Sequence, residues 1–145
     1  MVLILLLAGF AIGALPLIFI IVLALTGQNL TRIGTGNISV SAAFYHGGTI
    51  VGILAVVSEA LKGIVVIELG QRWFPEQPAL HLAALCFLVL GRYFVAKSAG
   101  TTNAVWGIIA YRWRVAFFVL LISGGFFLVD RDRNRSKYLV LFLLP

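Results

Sequence analysis

Glu59 and Lys62 stand three residues apart inside an apolar stretch from about Ile50 to Leu69. On a helix that spacing places them on one face, close enough to pair. Ionisable side chains inside a membrane-crossing helix are expensive, and they mark a functional site by default. The pair could neutralise itself and pin its helix. It could equally present the lysine to an anion while the glutamate orients it. A second group of residues, Arg32-Ile33-Gly34-Thr35-Gly36-Asn37, directly follows a long uncharged segment. Its glycines let backbone N–H groups turn toward an anion, with no side chain in the way. Arg32 adds a cation, and Thr35 and Asn37 add short polar groups. That combination suits a phosphate at the membrane–water boundary, although a tight turn between helices uses the same residues. Lys97 is expected on the same side of the membrane as this loop. Arg92, next to Gly91, either snorkels to the interface or brings a fourth cation to the same pocket.

The remaining reactive side chains point to less. His46 and His81 fall at different predicted boundaries, on opposite sides, so neither a metal site nor a cofactor is expected. His81 reads as an interfacial residue opening a helix. Neither histidine has a serine or cysteine arranged as a nucleophile beside it. The single cysteine, Cys86, lies in an apolar run and reads as packed and inert. Trp73, Trp106, Trp113 and Tyr111 fit interfacial anchors.

These groups need elements to hold them, and composition defines what kind. Hydrophobic residues make up 61% of the 145, charged residues 11%, and the mean hydropathy is +1.07. A soluble domain carries about 25% charged residues. The apolar runs are uniform rather than alternating, which argues against a membrane barrel. The expected class is therefore an all-α, polytopic membrane bundle, one domain over residues 1–145 or part of one. The net charge of +6 fits basic cytoplasmic loops. No basic stripe is interleaved with exposed aromatics, so nucleic acid is not an expected partner.

About five membrane-crossing or re-entrant helices are expected. The first covers about 2–25, with a kink at Pro16. It lacks a basic leader segment and should remain as a membrane helix. Residues 26–37 form a polar loop, and 38–48 a short amphipathic piece ending at Gly47-Gly48. The second helix runs 50–69, the third 80–96, with a polar loop at 97–103. Residues 104–129 read either as one helix containing Arg112 and Arg114 or as two segments turning there. With the turn, Arg32, Lys97, Arg131, Arg133, Arg135 and Lys137 lie inside against Arg72, Arg112 and Arg114 outside. The positive-inside rule favours that arrangement. The apolar run from Tyr138 to Pro145 is too short to cross, so it is either a truncated helix or a surface segment.

Taken together, these residues resemble the bacterial acyl-phosphate:glycerol-3-phosphate acyltransferase family (PlsY-type). Arg32-Ile33-Gly34-Thr35-Gly36-Asn37-Ile38 is similar to that family's Lys-Ile-Gly-Ser-Gly-Asn-Ile. Ala11-Ile12-Gly13-Ala14-Leu15-Pro16 looks like its Gly-Ser-Ile-Pro element. Glu59-Ala60-Leu61-Lys62-Gly63 resembles Asp-x-x-Lys-Gly, and Gly91-Arg92-Tyr93-Phe94 occupies the place of Gly-His-x-Phe. The chain departs from the pattern at Ser39-Val40-Ser41-Ala42, at Tyr45 near an expected arginine, at Arg92, and at Ser98-Ala99-Gly100-Thr101, which lacks a lysine.

The resemblance implies an integral protein of a bacterial plasma membrane, with basic loops cytoplasmic. It implies acyl transfer from acyl phosphate to glycerol 3-phosphate, giving lysophosphatidate for phospholipid synthesis. Glu59 and Lys62 would be catalytic. Arg32, Gly34, Thr35, Gly36, Asn37, Arg92 and Lys97 would hold phosphate. Two other readings stand beside it. One is a catalytically inactive scaffold that binds lipid or a membrane-protein partner. The other is a small transporter built around Glu59 and Lys62.

Overall fold

The computed structural model describes residues 1–96, 98, 101–112 and 117. Its elements are α1 (Val2–Ala14), α2 (Leu17–Thr26), α3 (Val40–Trp73), α4 (Pro78–Phe94) and α5 (Thr101–Tyr111). There is no strand among the described residues. The chain divides into two compact units, Met1–Gly107 and Ile108–Pro145. The second lies almost wholly outside the described residues, and the expected segment 115–129 falls in it. Counting α1 and α2 as one broken passage, four helical passages are described, one fewer than the five expected. α5 closes at Tyr111, and residues 113–114 of the turn expected there lie outside the described residues.

The kink expected at Pro16 is a full break. Leu15 is extended (φ −62°, ψ 119°), and Pro16 has φ −85° and ψ 54°. Leu17 N donates to Leu15 O at 2.9 Å across the proline. That is an inverse γ-turn. The break takes the Leu15 carbonyl out of the helical ladder, and the Leu17 N–H occupies only one of its two acceptor sites. The second expected helix is longer than its apolar core. Ser39 caps it by accepting from Ala42 N at 3.1 Å, and it runs on to Trp73. Gly48, at φ 81° and ψ −178°, divides it into two segments. This joins the short 38–48 piece to the main helix across a kink that glycine tolerates. α4 begins at Pro78, where a missing N–H costs nothing.

Among the described residues two stretches are long and apolar enough to cross a bilayer, Val2–Thr26 and Val40–Trp73; α4 is a shorter apolar helix. Large apolar side chains face outward along these helices, among them Leu3, Ile4, Ile20, Leu25, Ile50, Leu61 and Phe94. In water so much exposed apolar surface would be a liability, whereas in hydrocarbon it is solvated.

Helix contacts rest on small residues and a modest core. α1 packs chiefly on α4, and α2 on α3. A Cβ on Gly9 would meet the Ala84 carbonyl oxygen at 2.6 Å, and Cβ atoms on Gly13 and Gly91 would strike the carbonyls of Leu88 and Phe10. Close backbone approach through small residues is how membrane helices associate without a hydrophobic drive. Leu5, Val66, Ala84 and Leu88 fill the space between α1, α3 and α4. Ile18, Val22, Leu30, Ile38, Ala43, Val51 and Ala55 fill that around α2 and both segments of α3.

Candidate functional site

At the centre of α3, Glu59 accepts from Lys62 Nζ at 3.0 Å through Oε1. Its Oε2 lies 3.2 Å from Arg92 Nε on α4. Glu59 and Arg92 are 1% exposed and Lys62 is 4% exposed. The expected pairing of Glu59 with Lys62 is thus present and has gained a third member. Burial rules out the snorkelling option for Arg92.

The surrounding backbone completes the cluster. Lys62 Nζ donates to the Leu15 carbonyl at 2.6 Å. The Leu15 carbonyl at the break thus accepts from the buried lysine as well as from Leu17 N. Arg92 Nη2 donates to the Ile38 carbonyl at 3.1 Å. That bond ties α4 to the residue just after the glycine loop. Asn103 on α5, fully buried, donates through Nδ2 to the Glu59 carbonyl at 3.1 Å. Gly63 allows this approach, because a Cβ there would strike the Asn103 carbonyl and the Gly107 nitrogen. Residues 101–103, expected in a loop, form the first turn of α5 instead. Helical geometry there directs Asn103 inward.

Charge and donor counts show what the cluster can do. One carboxylate faces two cations, so one positive charge has no counter-charge within the cluster. An ammonium carries three donors, and Lys62 spends two. Arg92 Nη1 and Asn103 Oδ1 are buried without a hydrogen-bond partner among the described residues. A surplus positive charge with unspent donors, away from water, favours negative charge on a bound group.

The loop is built differently. Gly34 (φ 56°) and Gly36 (φ 69°) are both left-handed. Gly36 N donates to the Ile33 carbonyl at 3.0 Å, and Asn29 Oδ1 accepts from Thr31 N at 3.0 Å. Arg32, Gly34, Thr35 and Asn37 are exposed. Arg32 forms no ion pair among the described residues. The structure therefore brings Glu59, Lys62 and Arg92 together and links them through Ile38 to the loop. It leaves Arg32 outside the buried cluster. Lys97 lies outside the described residues.

Three features of the candidate site escaped sequence reasoning: Asn103, the Leu15 carbonyl, and His46, whose ring packs on Gly34. Only Leu15 had a signal, the proline that follows it. Two expectations need correction. His81 is buried, with Nε2 2.7 Å from the Phe74 carbonyl, where it closes the turn into α4. Cys86 is exposed on α4. A face turned to lipid needs apolar residues as much as a core does, so its run could not reveal which way it points.

Comparison with known proteins agrees with this architecture. The glycerol-3-phosphate acyltransferase family model matches residues 3–145. A glycerol-3-phosphate acyltransferase of Myxococcus xanthus is 28% identical over 132 residues, covering 88% of this chain and 69% of the relative. One from Wolbachia pipientis subsp. Culex pipiens is 27% identical, covering 83% and 71%. Among solved structures, the glycerol 3-phosphate form of PlsY (YgiH), an integral membrane glycerol 3-phosphate acyltransferase, matches with a TM-score of 0.79 at 21% identity. That match covers 99% of this chain and 74% of the other, and it shows that the two share a membrane-protein fold. On the span of the family match, the chain belongs to the glycerol-3-phosphate acyltransferase family.

Proposed function

We propose that the chain transfers an acyl group from acyl phosphate to glycerol 3-phosphate, giving lysophosphatidate at the cytoplasmic leaflet of a bacterial plasma membrane. The observation that carries this reading is the buried Glu59–Lys62–Arg92 cluster, with its surplus positive charge and its bond to the end of the glycine loop. Both substrates are anions, and their approach needs fixed cations. Family membership agrees with this chemistry.

The glycerol 3-phosphate hydroxyl oxygen attacks the acyl carbonyl. A carbon–oxygen ester bond forms, the bond to the phosphate oxygen breaks, and phosphate leaves with the electron pair. The hydroxyl proton departs with the phosphate product. Lys62 and Arg92 stabilise the charge that develops, and Glu59 holds both in place. Arg32, the Gly34–Asn37 backbone and Lys97 hold phosphate. Transfer is direct, with no protein nucleophile. A groove of 430 Å³ between α2 and α3, lined by Ile20, Ile21, Ala24, Leu25, Leu54, Val57, Ser58 and Leu61, offers an apolar bed for an acyl chain.

Purified full chain given acyl phosphate and labelled glycerol 3-phosphate tests the reading. Lysophosphatidate above a no-protein blank, lost in Lys62→Ala, is expected; none above the blank removes it. The non-catalytic alternative draws on one observation: Lys62 and Arg92 already bond to Glu59 and to backbone carbonyls, as helix-pinning residues would. It predicts glycerol 3-phosphate binding without product, or neither.

A further inference from the structure

A side chain that the sequence did not associate with the glycine loop packs on it. His46 lies on the first segment of α3, two residues before the kink at Gly48. A Cβ on Gly34 would sit 3.0 Å from His46 Nε2 and 3.6 Å from Cε1. The imidazole therefore packs directly over the left-handed glycine, at a spot that only a residue without a side chain leaves open. The Tyr45 ring meets it edge-on, with centroids 4.9 Å apart and planes at 84°. That contact restricts how the imidazole can turn. Neither ring nitrogen of His46 has a hydrogen-bond partner among the described residues.

Two side chains with no hydrogen-bond or ion-pair partner among the described residues thus belong to one exposed turn, an imidazole over Gly34 and the Arg32 cation, beside a Gly34–Asn37 backbone with two left-handed glycines in which only the Gly36 N–H is bonded, to the Ile33 carbonyl. Left-handed residues in a turn aim successive N–H groups at a common point and form an anion-binding concavity. A neutral imidazole supplies one N–H donor and an imidazolium two. Histidine held over such a concavity is placed to donate to an anionic oxygen.

We propose that His46 is a phosphate-binding residue of this loop, donating a ring N–H to a phosphomonoester oxygen held by Gly34–Asn37 and Arg32. This rests on the acyl-transfer reading for the identity of the phosphomonoester, glycerol 3-phosphate, and not for the binding itself.

Calorimetric titration of the full chain in detergent micelles tests it, using inorganic phosphate and, separately, glycerol 3-phosphate. His46→Ala should weaken both by about 10-fold or more, the loss typical of a hydrogen bond to a charged group. His46→Gln, whose amide can donate from a similar place, should stay within about 3-fold of the parent, with the melting temperatures of both variants unchanged. Equal affinity in His46→Ala and the parent overturns the proposal. So does a matched loss in both variants accompanied by a lower melting temperature, which marks packing alone. A parent chain that binds neither phosphate nor glycerol 3-phosphate overturns it as well. If binding follows the expected pattern but no lysophosphatidate forms, the acyl-transfer reading fails and the His46 site stands.

Discussion

At Glu59 the charged groups are buried and every one has a partner; at Arg32 the cation is exposed and forms no ion pair among the described residues. Among the described residues, the bond from Arg92 to the Ile38 carbonyl joins the two regions. Burial makes the first region a mutual arrangement. Removing any member strands the others in a medium that cannot solvate them. Exposure makes the second region available but individually weak, because water competes for each group. An anion that met both would gain strength from the buried charge and access through the open turn. The cluster should therefore govern stability and rate, and the loop affinity.

The largest expected effect follows from stranding two cations. Glu59→Ala should destabilise the chain by about 3–5 kcal/mol, seen as a large drop in melting temperature in detergent. A near-parent melting temperature would erase the distinction between the regions. Next, Lys62→Ala should lower acyl transfer by about 10²–10³-fold in kcat, the loss of one preorganised donor. Initial-rate measurement checks this, and a change confined to KM would move Lys62 into the loop's category.

Glycine replacements sharpen the comparison at smaller scale. Gly63→Ala sets a Cβ against the Asn103 carbonyl and the Gly107 nitrogen. Backbone cannot yield as a flexible side chain does, so a cost of about 1–3 kcal/mol is expected in thermal unfolding. Gly34→Ala should cost about 1–2 kcal/mol for its left-handed backbone and push the His46 ring aside. Circular-dichroism melts and phosphate titration read the two consequences separately. Arg32→Ala is the smallest in stability, within about 0.5 kcal/mol, with weaker glycerol 3-phosphate binding by calorimetry. Loss of folding in Arg32→Ala would mean the loop is structural after all.

How much of this was legible in the sequence depends on distance along the chain. The i,i+3 spacing exposed the Glu59–Lys62 pair, and Pro16 exposed the break in the first passage. Those are local rules. Arg92 reaches Ile38 across 54 positions, Asn103 reaches Glu59 across 44, and Lys62 reaches Leu15 across 47. These bonds depend on which helix faces touch, and Gly13, Gly63 and Gly91 decide that by where they let backbones meet. A glycine signals room without saying what fills it. Cys86 and His81 were misplaced for a related reason: in a membrane protein an apolar neighbourhood describes lipid and core alike. His46 was read as isolated because its partner Gly34 lies on a loop before α3, and a glycine does not say which side chain will fill the space it leaves.

The central claim is that one bound phosphate draws on the buried cluster and on the open turn together. An experimental structure of the full chain with glycerol 3-phosphate measures this directly. Phosphate oxygens are expected at hydrogen-bond distance, about 3 Å, from both a loop N–H of Gly34–Asn37 and a donor of Lys62 or Arg92. Phosphate seated on the loop alone, with Glu59, Lys62 and Arg92 bonded as they are here and no contact to it, would contradict it.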